Sequence, residues 1–422
     1  MTRDILKLKM VQEHGRVAFG QLIHRGLRQV AGLNDVVVVS AVRTPMGSFR
    51  SSLSAVQAPQ LGTIAIKNAV ERAGIPPELV QEVYMGCVVQ AAQGQAPARQ
   101  ATLGAGLAIT TPTTTVNKVC ASGMKSIMLA SQSLMCGHQE VMVAGGMESM
   151  SNAPYYMMRG DSLIMEGSCY MTPSRMMAVD VYNKIHMGVC GETTAEKFNI
   201  SREDQDVFAI NSYKKSAAAW KAGTFKDEVV PVIIPQKKGK PDVVVSEDEE
   251  FKKVNFEKFR SLKPVFKKEG GTVTAANAST LNDGAAAVVL MTAHKANALK
   301  LKPLARIVGF ADAAVAPIDF PIAPASAIPK VLESCGVSKD DVDMWEINEA
   351  FSCVVLANIE MLDLDPTKVN VNGGAVSLGH PIGMSGARLV AHMAHQLKAG
   401  QKGMAGICNG GGGASAILLE GL

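Results

Sequence analysis

The chain repeats itself. Gly74-Ile75-Pro76-Pro77-Glu78-Leu79-Val80-Gln81-Glu82-Val83-Tyr84 aligns without gaps on Gly336-Val337-Ser338-Lys339-Asp340-Asp341-Val342-Asp343-Met344-Trp345-Glu346, a displacement of 262 residues. Ser122-Gly123, opening an apolar helical pattern, matches Ser385-Gly386, and Val141-Met142-Val143-Ala144-Gly145-Gly146 matches Met404-Ala405-Gly406-Ile407-Cys408-Asn409, both displaced by 263. Three matches in one order at one spacing argue for two similarly folded halves. In each, short apolar strands (Asp35 to Ser40, Val141 to Ala144, Leu304 to Val308, Gly403 to Cys408) alternate with amphipathic helices. That is the βαβ rhythm of an α/β fold with helix-covered, mostly parallel sheets.

The predicted layout is an N-terminal arm over 1–34, a first half over 35–151 completed by about 278–298, an insertion over 152–277 and a second half over 299–422. The insertion lacks the strand–helix rhythm. It is Met-rich from Met157 to Met177 and then holds one good helix, Ser201 to Ala222, with Ser201 as cap and Glu203 and Asp204 in the first turn. From Lys237 to Lys268 it is strongly basic, interrupted by Glu247 to Glu250. Such a run reads either as a solvated loop or as a rim for a phosphorylated ligand.

Composition closes off other classes. Hydrophobic residues make up 47% and charged residues 19% of 422, which suits a packed core, and uncharged apolar stretches such as Gly284 to Ala293 are about half a membrane span. No membrane span is expected. The arm holds six cations (Arg3, Lys7, Lys9, Arg16, Arg25, Arg28) against Asp4 and Glu13, leaving 36 basic and 36 acidic side chains elsewhere. A neutral body has no field for gripping nucleic acid. The arm, with no block long enough for a secretory signal, reads as an organellar presequence or as a frayed end. Eight cysteines without a CxxC pair are too sparse for a disulfide scaffold and point to a reducing compartment.

Four corners carry candidate chemistry. Cys120, in Val116-Asn117-Lys118-Val119-Cys120-Ala121-Ser122-Gly123, follows a strand-like run from Thr113 and stands at a helix start, where free N–H groups favour a thiolate. Taken alone it reads equally as an ordinary buried small residue. His380 lies in the glycine-dense segment Gly373 to Gly386, beside the helix start that duplicates the one after Cys120. A pseudo-twofold axis would turn both toward one cleft. Cys408 precedes Gly410, Gly411, Gly412 and Gly413, whose N–H groups suit an oxyanion hole or a phosphate cradle, although the loop lacks the Lys-Ser/Thr ending of a P-loop. Asn348, after Trp345-Glu346-Ile347, reads as a donor for a water or as the cap of a helix from Ala350 to Leu362. Two cysteines, a histidine and an asparagine on such corners suit acyl transfer to sulfur with making or breaking of a carbon–carbon bond. The rival for Cys120, Cys408 and His380 is a zinc site.

These motifs resemble the thiolase family from Asp35 to Leu422: VNKVCASGMKS around Cys120, GGMESMSNAPY from Gly145, NASTLNDGAAA from Asn277, NEAF from Asn348, GHPIGMSGAR from Gly379 and CNGGGGASA from Cys408. The resemblance implies two stacked α/β halves with mixed five-stranded sheets and an inserted loop domain. It makes Cys120 the acetylated nucleophile, His380 its activator and Cys408 the group that moves the α-proton of a second acetyl-CoA. One oxyanion hole would use His380 and a water on Asn348; the other would use the N–H groups of Cys120 and Gly410. Coenzyme A contacts would be Tyr213, Lys253, Val254, Asn255, Lys258 and Ser279, with His186 and Met187 near the acyl group. No organic cofactor beyond coenzyme A is implied. A potassium ion would lie on Tyr213 and the carbonyls of Ala275, Ala276, Ala278 and Val376.

The family also implies a homotetramer acting on acetyl-CoA, acetoacetyl-CoA and CoA. His186-Met187-Gly188 and Asp319 to Pro324 resemble its short-chain mitochondrial branch rather than the long-chain β-oxidation enzymes, so acetoacetyl-CoA and its 2-methyl derivative are the expected substrates. Val189-Cys190-Gly191-Glu192-Thr193-Thr194 departs from the wording of that branch and bears on the acyl pocket. Ketoacyl synthases and 3-hydroxy-3-methylglutaryl-CoA synthases are rivals, but are expected to lack a cysteine at position 408.

Overall fold

The computed structural model describes residues 32–157, 170–171, 179–236 and 239–422. The arm through residue 31, most of the Met-rich stretch, and Lys237 and Lys238 lie outside the described residues. Nine strands set the framework: β1 (Val36–Arg43), β2 (Glu82–Gly86), β3 (Thr113–Val116), β4 (Val141–Ser149), β5 (Asn282–Thr292), β6 (Ala305–Ala314), β7 (Met344–Ile347), β8 (Lys402–Asn409) and β9 (Gly413–Gly421). Their order is β3-β2-β4-β5-β1-β6-β9-β8-β7, with the two-residue strand Gly47–Ser48 attached to β5.

The duplication is visible as a palindrome about the β1–β6 junction, where only Val36, Val37 and Val38 pair with Ile307, Arg306 and Ala305. Outward from that junction, β1, β5, β4, β2 and β3 on one side match β6, β9, β8 and β7 on the other. The second half has a single Trp345–Val369 bridge where a fifth strand was expected. The outer strands run parallel (β2 with β3 and β4, β7 with β8) and the inner ones antiparallel.

The sequence repeat around Gly74 and Gly336 has a direct physical meaning. Helices α1 (Ala58–Ala73) and α5 (Pro324–Cys335) both end on a glycine in the left-handed region, at φ +67° and +63°. Glycine stops a helix there without strain. Each is followed by a short 3-10 turn and then by β2 or β7.

Helices α2 (Ser122–Met135) and α8 (Ile382–Gln396) lie between the halves, in a core containing Met124, Ile127, Met384, Leu389, Ala144 and Ile407. Separate cores lie outside each half-sheet, against α1 and α5. The α2–α8 crossing is closer than side chains permit. A Cβ on Gly123 would stand 2.8 Å from Ala387 N and Gly383 O, and one on Gly386 would stand 2.6 Å from Met124 N. These positions are equivalent in the repeat, which explains its Ser-Gly match. Gly123→Ala should lower stability to chemical denaturation by about 1–3 kcal/mol; an unchanged midpoint and slope would contradict this packing.

Between β4 and β5 the chain adds α3 (Met187–Lys197) and α4 (Arg202–Ala222). Ser201 caps α4 in a reciprocal box with Asp204, as its sequence predicts. The insertion is fastened by buried charges: Arg43 bonds Glu228 at 2.6 Å and Asp248 at 2.8 Å, and Glu228 meets His392 at 2.7 Å. Further along come α6 (Ser352–Leu362) and the one-turn α7 (Ala375–Leu378).

Candidate active site

Cys120 stands on a knuckle. β3 stops at Val116, short of the expected run to Val119, and the backbone turns through Val119 at φ +48° before α2 begins. A β-branched residue in that region carries strain of order 1–3 kcal/mol, so its neighbours must hold it. Asn117 Oδ1 accepts the Val119 N–H at 3.0 Å, while Ser122 Oγ accepts the Lys118 N–H at 2.8 Å and donates to the Val119 carbonyl at 2.6 Å.

The half-buried Cys120 thiol faces the backbone N–H groups of Gly410 and of its own residue. Even so, burial pushes it up to about 11, those N–H groups pulling down and the Glu148 carboxylate adding to the rise. The N–H groups pull the thiol in the direction expected of a helix start, but desolvation outweighs them.

His380 lies between α7 and α8. Its N–H donates to Asn282 Oδ1 at 2.8 Å, and its Nδ1 is 2.6 Å from Ser385 Oγ. The Ser385 hydroxyl donates to the Pro381 carbonyl at 2.9 Å, so its proton is committed and Nδ1 is the nitrogen that carries hydrogen. Nε2 is then a bare lone pair, buried and without a partner among the described residues. Burial lowers this imidazole to about 4, so it rests neutral.

Cys408, the next-to-last residue of β8, is buried, and burial followed by the neighbouring Cys120 pushes its thiol well above the ordinary range. Two residues on, a Cβ at Gly410 would lie 3.5 Å from both Met187 Cε and Val119 Cγ1, so the glycine loop fits between the start of α3 and the Cys120 knuckle. Asn348 follows β7, is buried, and has no partner for its Nδ2 among the described residues. It does not cap a helix: α6 starts later, at Ser352, behind Phe351. The open amide donor is what survives of the two readings.

Cys120 and His380 thus each stand two residues ahead of helices whose first turns touch, and the Gly410 N–H and Cys408 close on the same sulfur. Among the described residues no three His, Cys, Asp or Glu side chains are grouped so as to hold a metal ion. An apolar wall completes the site. His186 stacks on Phe266 with centroids 4.6 Å apart, Phe266 meets Phe351 edge-on at 6.3 Å, and Met187 packs against the buried cluster that contains Phe351 and Cys408.

Family models for the N-terminal and the C-terminal domain of thiolase match residues 36–294 and 301–421. The chain belongs to the thiolase family. It is 67% identical over 407 residues to the mitochondrial acetyl-CoA acetyltransferase of Xenopus tropicalis, covering 94% of each chain, and 66% identical over 398 residues to that of Bos taurus, covering 92% of each. Among solved structures it resembles the Acat5 thiolase of Ascaris suum in complex with coenzyme A (TM-score 0.88, 45% identity, 92% of this chain and 100% of that one). It also resembles the Bacillus anthracis acetyl-CoA acetyltransferase (TM-score 0.89, 40% identity, 93% and 100%).

The remaining positions of this thiolase divide into two groups. Buried Tyr213 and Val376 share a cluster with Phe259, against which Val254 and Ala276 pack; Ala278 belongs with Phe351, and Ala275 is exposed. Lys253, Asn255 and Lys258 are exposed, and neither lysine forms an ion pair among the described residues, whereas Lys252 meets Glu247 at 2.5 Å. Asn255 Oδ1 accepts the Glu257 and Lys258 N–H groups, and the Ser279 hydroxyl donates to the Ala350 carbonyl at 2.9 Å.

Three residues of the thiolase site were not singled out from sequence: Ser385, Asn282 and Glu148. Ser385 had a usable signal, a hydroxyl one turn into the helix after His380. Asn282 and Glu148 act across the fold and had none.

Proposed function

We propose that this thiolase is an acetyl-CoA C-acetyltransferase, joining two acetyl-CoA to acetoacetyl-CoA and CoA and running the same steps backward. The observation that carries this reading is the Cys120 sulfur facing the Gly410 N–H with the Cys408 thiol as its neighbour, while His380, with a proton-free Nε2, precedes the helix start that packs on the one after Cys120. Cys120 attacks the thioester carbon and its proton passes to His380 Nε2, while the N–H groups of Cys120 and Gly410 hold the oxyanion. CoA leaves as a thiolate that takes the Cys408 proton. The resulting Cys408 thiolate, a strong base because burial destabilises it, removes the α-proton of the second acetyl-CoA. His380 and a water on Asn348 Nδ2 hold the enolate oxygen. The enolate carbon then displaces Cys120, which recovers its proton from His380, and the site returns to its starting state.

Lys253 and Lys258, which form no ion pair among the described residues and flank Val254 in sequence, support a rim for the phosphates of coenzyme A near the Tyr213 cluster on which Val254 packs, with Asn255 and Ser279 shaping its loops. The carbonyl oxygens of Ala275, Ala276, Ala278 and Val376 receive no N–H from the described turns, and Tyr213 packs beside Val376 and Ala276. Neutral oxygen donors of this kind fit a weakly held potassium ion, whose charge would order the loop. The relatives' names support a mitochondrial location; the basic arm as its presequence is proposed on its composition, and a homotetramer on family resemblance.

The bulky side chains of Phe266, Phe351 and Met187, gathered in the cluster that holds Cys408, support a short acyl chain over a long one. Thiolysis of four-carbon and sixteen-carbon 3-ketoacyl-CoA tests this. The four-carbon substrate should have a kcat/KM on the order of 100-fold higher; preference for the longer one would overturn the assignment.

A further inference from the structure

We infer that Glu148, at the end of β4, is a positioning residue that sets both the Cys120 knuckle and the His380 turn from one carboxyl group. Its side chain is fully buried. Oε2 accepts the N–H groups of Val88 and Gly383, each at 3.0 Å, and Oε1 accepts that of Val89 at 3.1 Å, with the Cys87 thiol 3.8 Å away.

One arm runs to the nucleophile. The Val88 carbonyl accepts from Asn117 Nδ2 at 3.3 Å, and Asn117 Oδ1 accepts the N–H of Val119, the strained residue before Cys120. The other arm runs to the base. Gly383 lies in the first turn of α8, where the Pro381 carbonyl and the Ser385 hydroxyl fix the His380 ring.

Three backbone N–H donors converging on two oxygens favour a group that only accepts, an ionised carboxylate, the Cys87 thiol lying closer to Gln93 Oε1 at 3.4 Å. The start of α8 also favours a negative charge. The clamp has no slack: a Cβ on Gly383 would stand 2.7 Å from Glu148 Oε2, and one on Gly146 would stand 2.0 Å from Gly383 O. Electrostatically the carboxylate works against catalysis, because it raises a thiol that has to ionise. Its contribution is therefore geometric. Burial pushes Glu148 up to about 7 despite its three N–H donors, so acidification turns an acceptor into a donor and loosens the clamp.

The inference rests on Cys120 being the nucleophile. It is tested in the full-length enzyme with E148Q and N117A, following alkylation of Cys120 by iodoacetamide against pH and acylation by acetyl-CoA. Glu148→Gln removes a charge that opposes the thiolate, so its alkylation curve should move to lower pH. Acylation should nonetheless fall about 10- to 100-fold from misplacement of the sulfur and imidazole, with KM changed less than about 3-fold. Asn117→Ala cuts only the cysteine arm and should slow acylation about 10-fold with the alkylation curve in place. Acylation by E148Q at the wild-type rate, or slowed acylation with an unmoved alkylation curve, would overturn the inference. Should E148Q not fold, N117A decides, and wild-type acylation by it would do the same. A wild-type enzyme that labels elsewhere than Cys120 would refute the nucleophile assignment instead.

Discussion

Cys120→Ser is expected to lower kcat by about 10^4-fold or more, with the fold intact. The size of the loss follows from the base. His380 bonds a serine hydroxyl through Nδ1 rather than a carboxylate, and burial holds the ring near 4. An imidazole so placed is too weak to take a proton from an alcohol, for which nucleophilic serines rely on a histidine backed by an acid. A thiol asks less of its base, and sulfur remains nucleophilic once the carbonyl is polarised by the Gly410 and Cys120 N–H groups. Because Cys120 is half-buried and serine nearly isosteric, stability should change by no more than about 0.5 kcal/mol. Turnover at the wild-type rate by a folded C120S enzyme would end the account of this thiol as nucleophile.

The second large effect is expected at Cys408. Replacement by serine should slow formation and cleavage of the carbon–carbon bond about 10^3- to 10^4-fold while slowing acylation of Cys120 no more than about 10-fold, since a CoA thiolate leaves readily without help. A serine hydroxyl cannot supply the anion that removes an α-proton. The two steps separate experimentally as release of CoA in a single turnover and as exchange of the acetyl α-hydrogens with deuterated water. Equal slowing of both would argue that Cys408 supports the site rather than moving a proton. Placing a hydroxyl in this buried, apolar position should also destabilise the protein by about 1–3 kcal/mol, measurable by denaturation and separable from the kinetic effect.

Much of this was legible in the chain because the informative contacts are either local or repeated. The glycine stops at Gly74 and Gly336, the Ser201 cap and the strand-to-loop corners of Cys120, Asn348 and Cys408 follow from neighbours in sequence. The close pair Gly123 and Gly386 is legible only as a match between repeats, its physical reason appearing where α2 and α8 cross. What sequence could not give lies in contacts between distant segments. Glu148 and Gly383 are 235 residues apart, and His380 and Asn282 are 98 apart. The left-handed turn at Val119 contradicts the preference of a β-branched residue, so local propensity pointed to a longer strand. The Cys120 thiol shows the same division: the N–H groups of the helix start act locally, whereas the desolvation that outweighs them comes from packing.

The most direct test of the account is mass spectrometry of the enzyme quenched in acid after brief exposure to acetyl-CoA alone. The account predicts a single acetyl group on the peptide containing Cys120, lost on addition of CoA and absent from C120S. An adduct on Cys408 instead, or full turnover with no acetyl group on any cysteine, would contradict it.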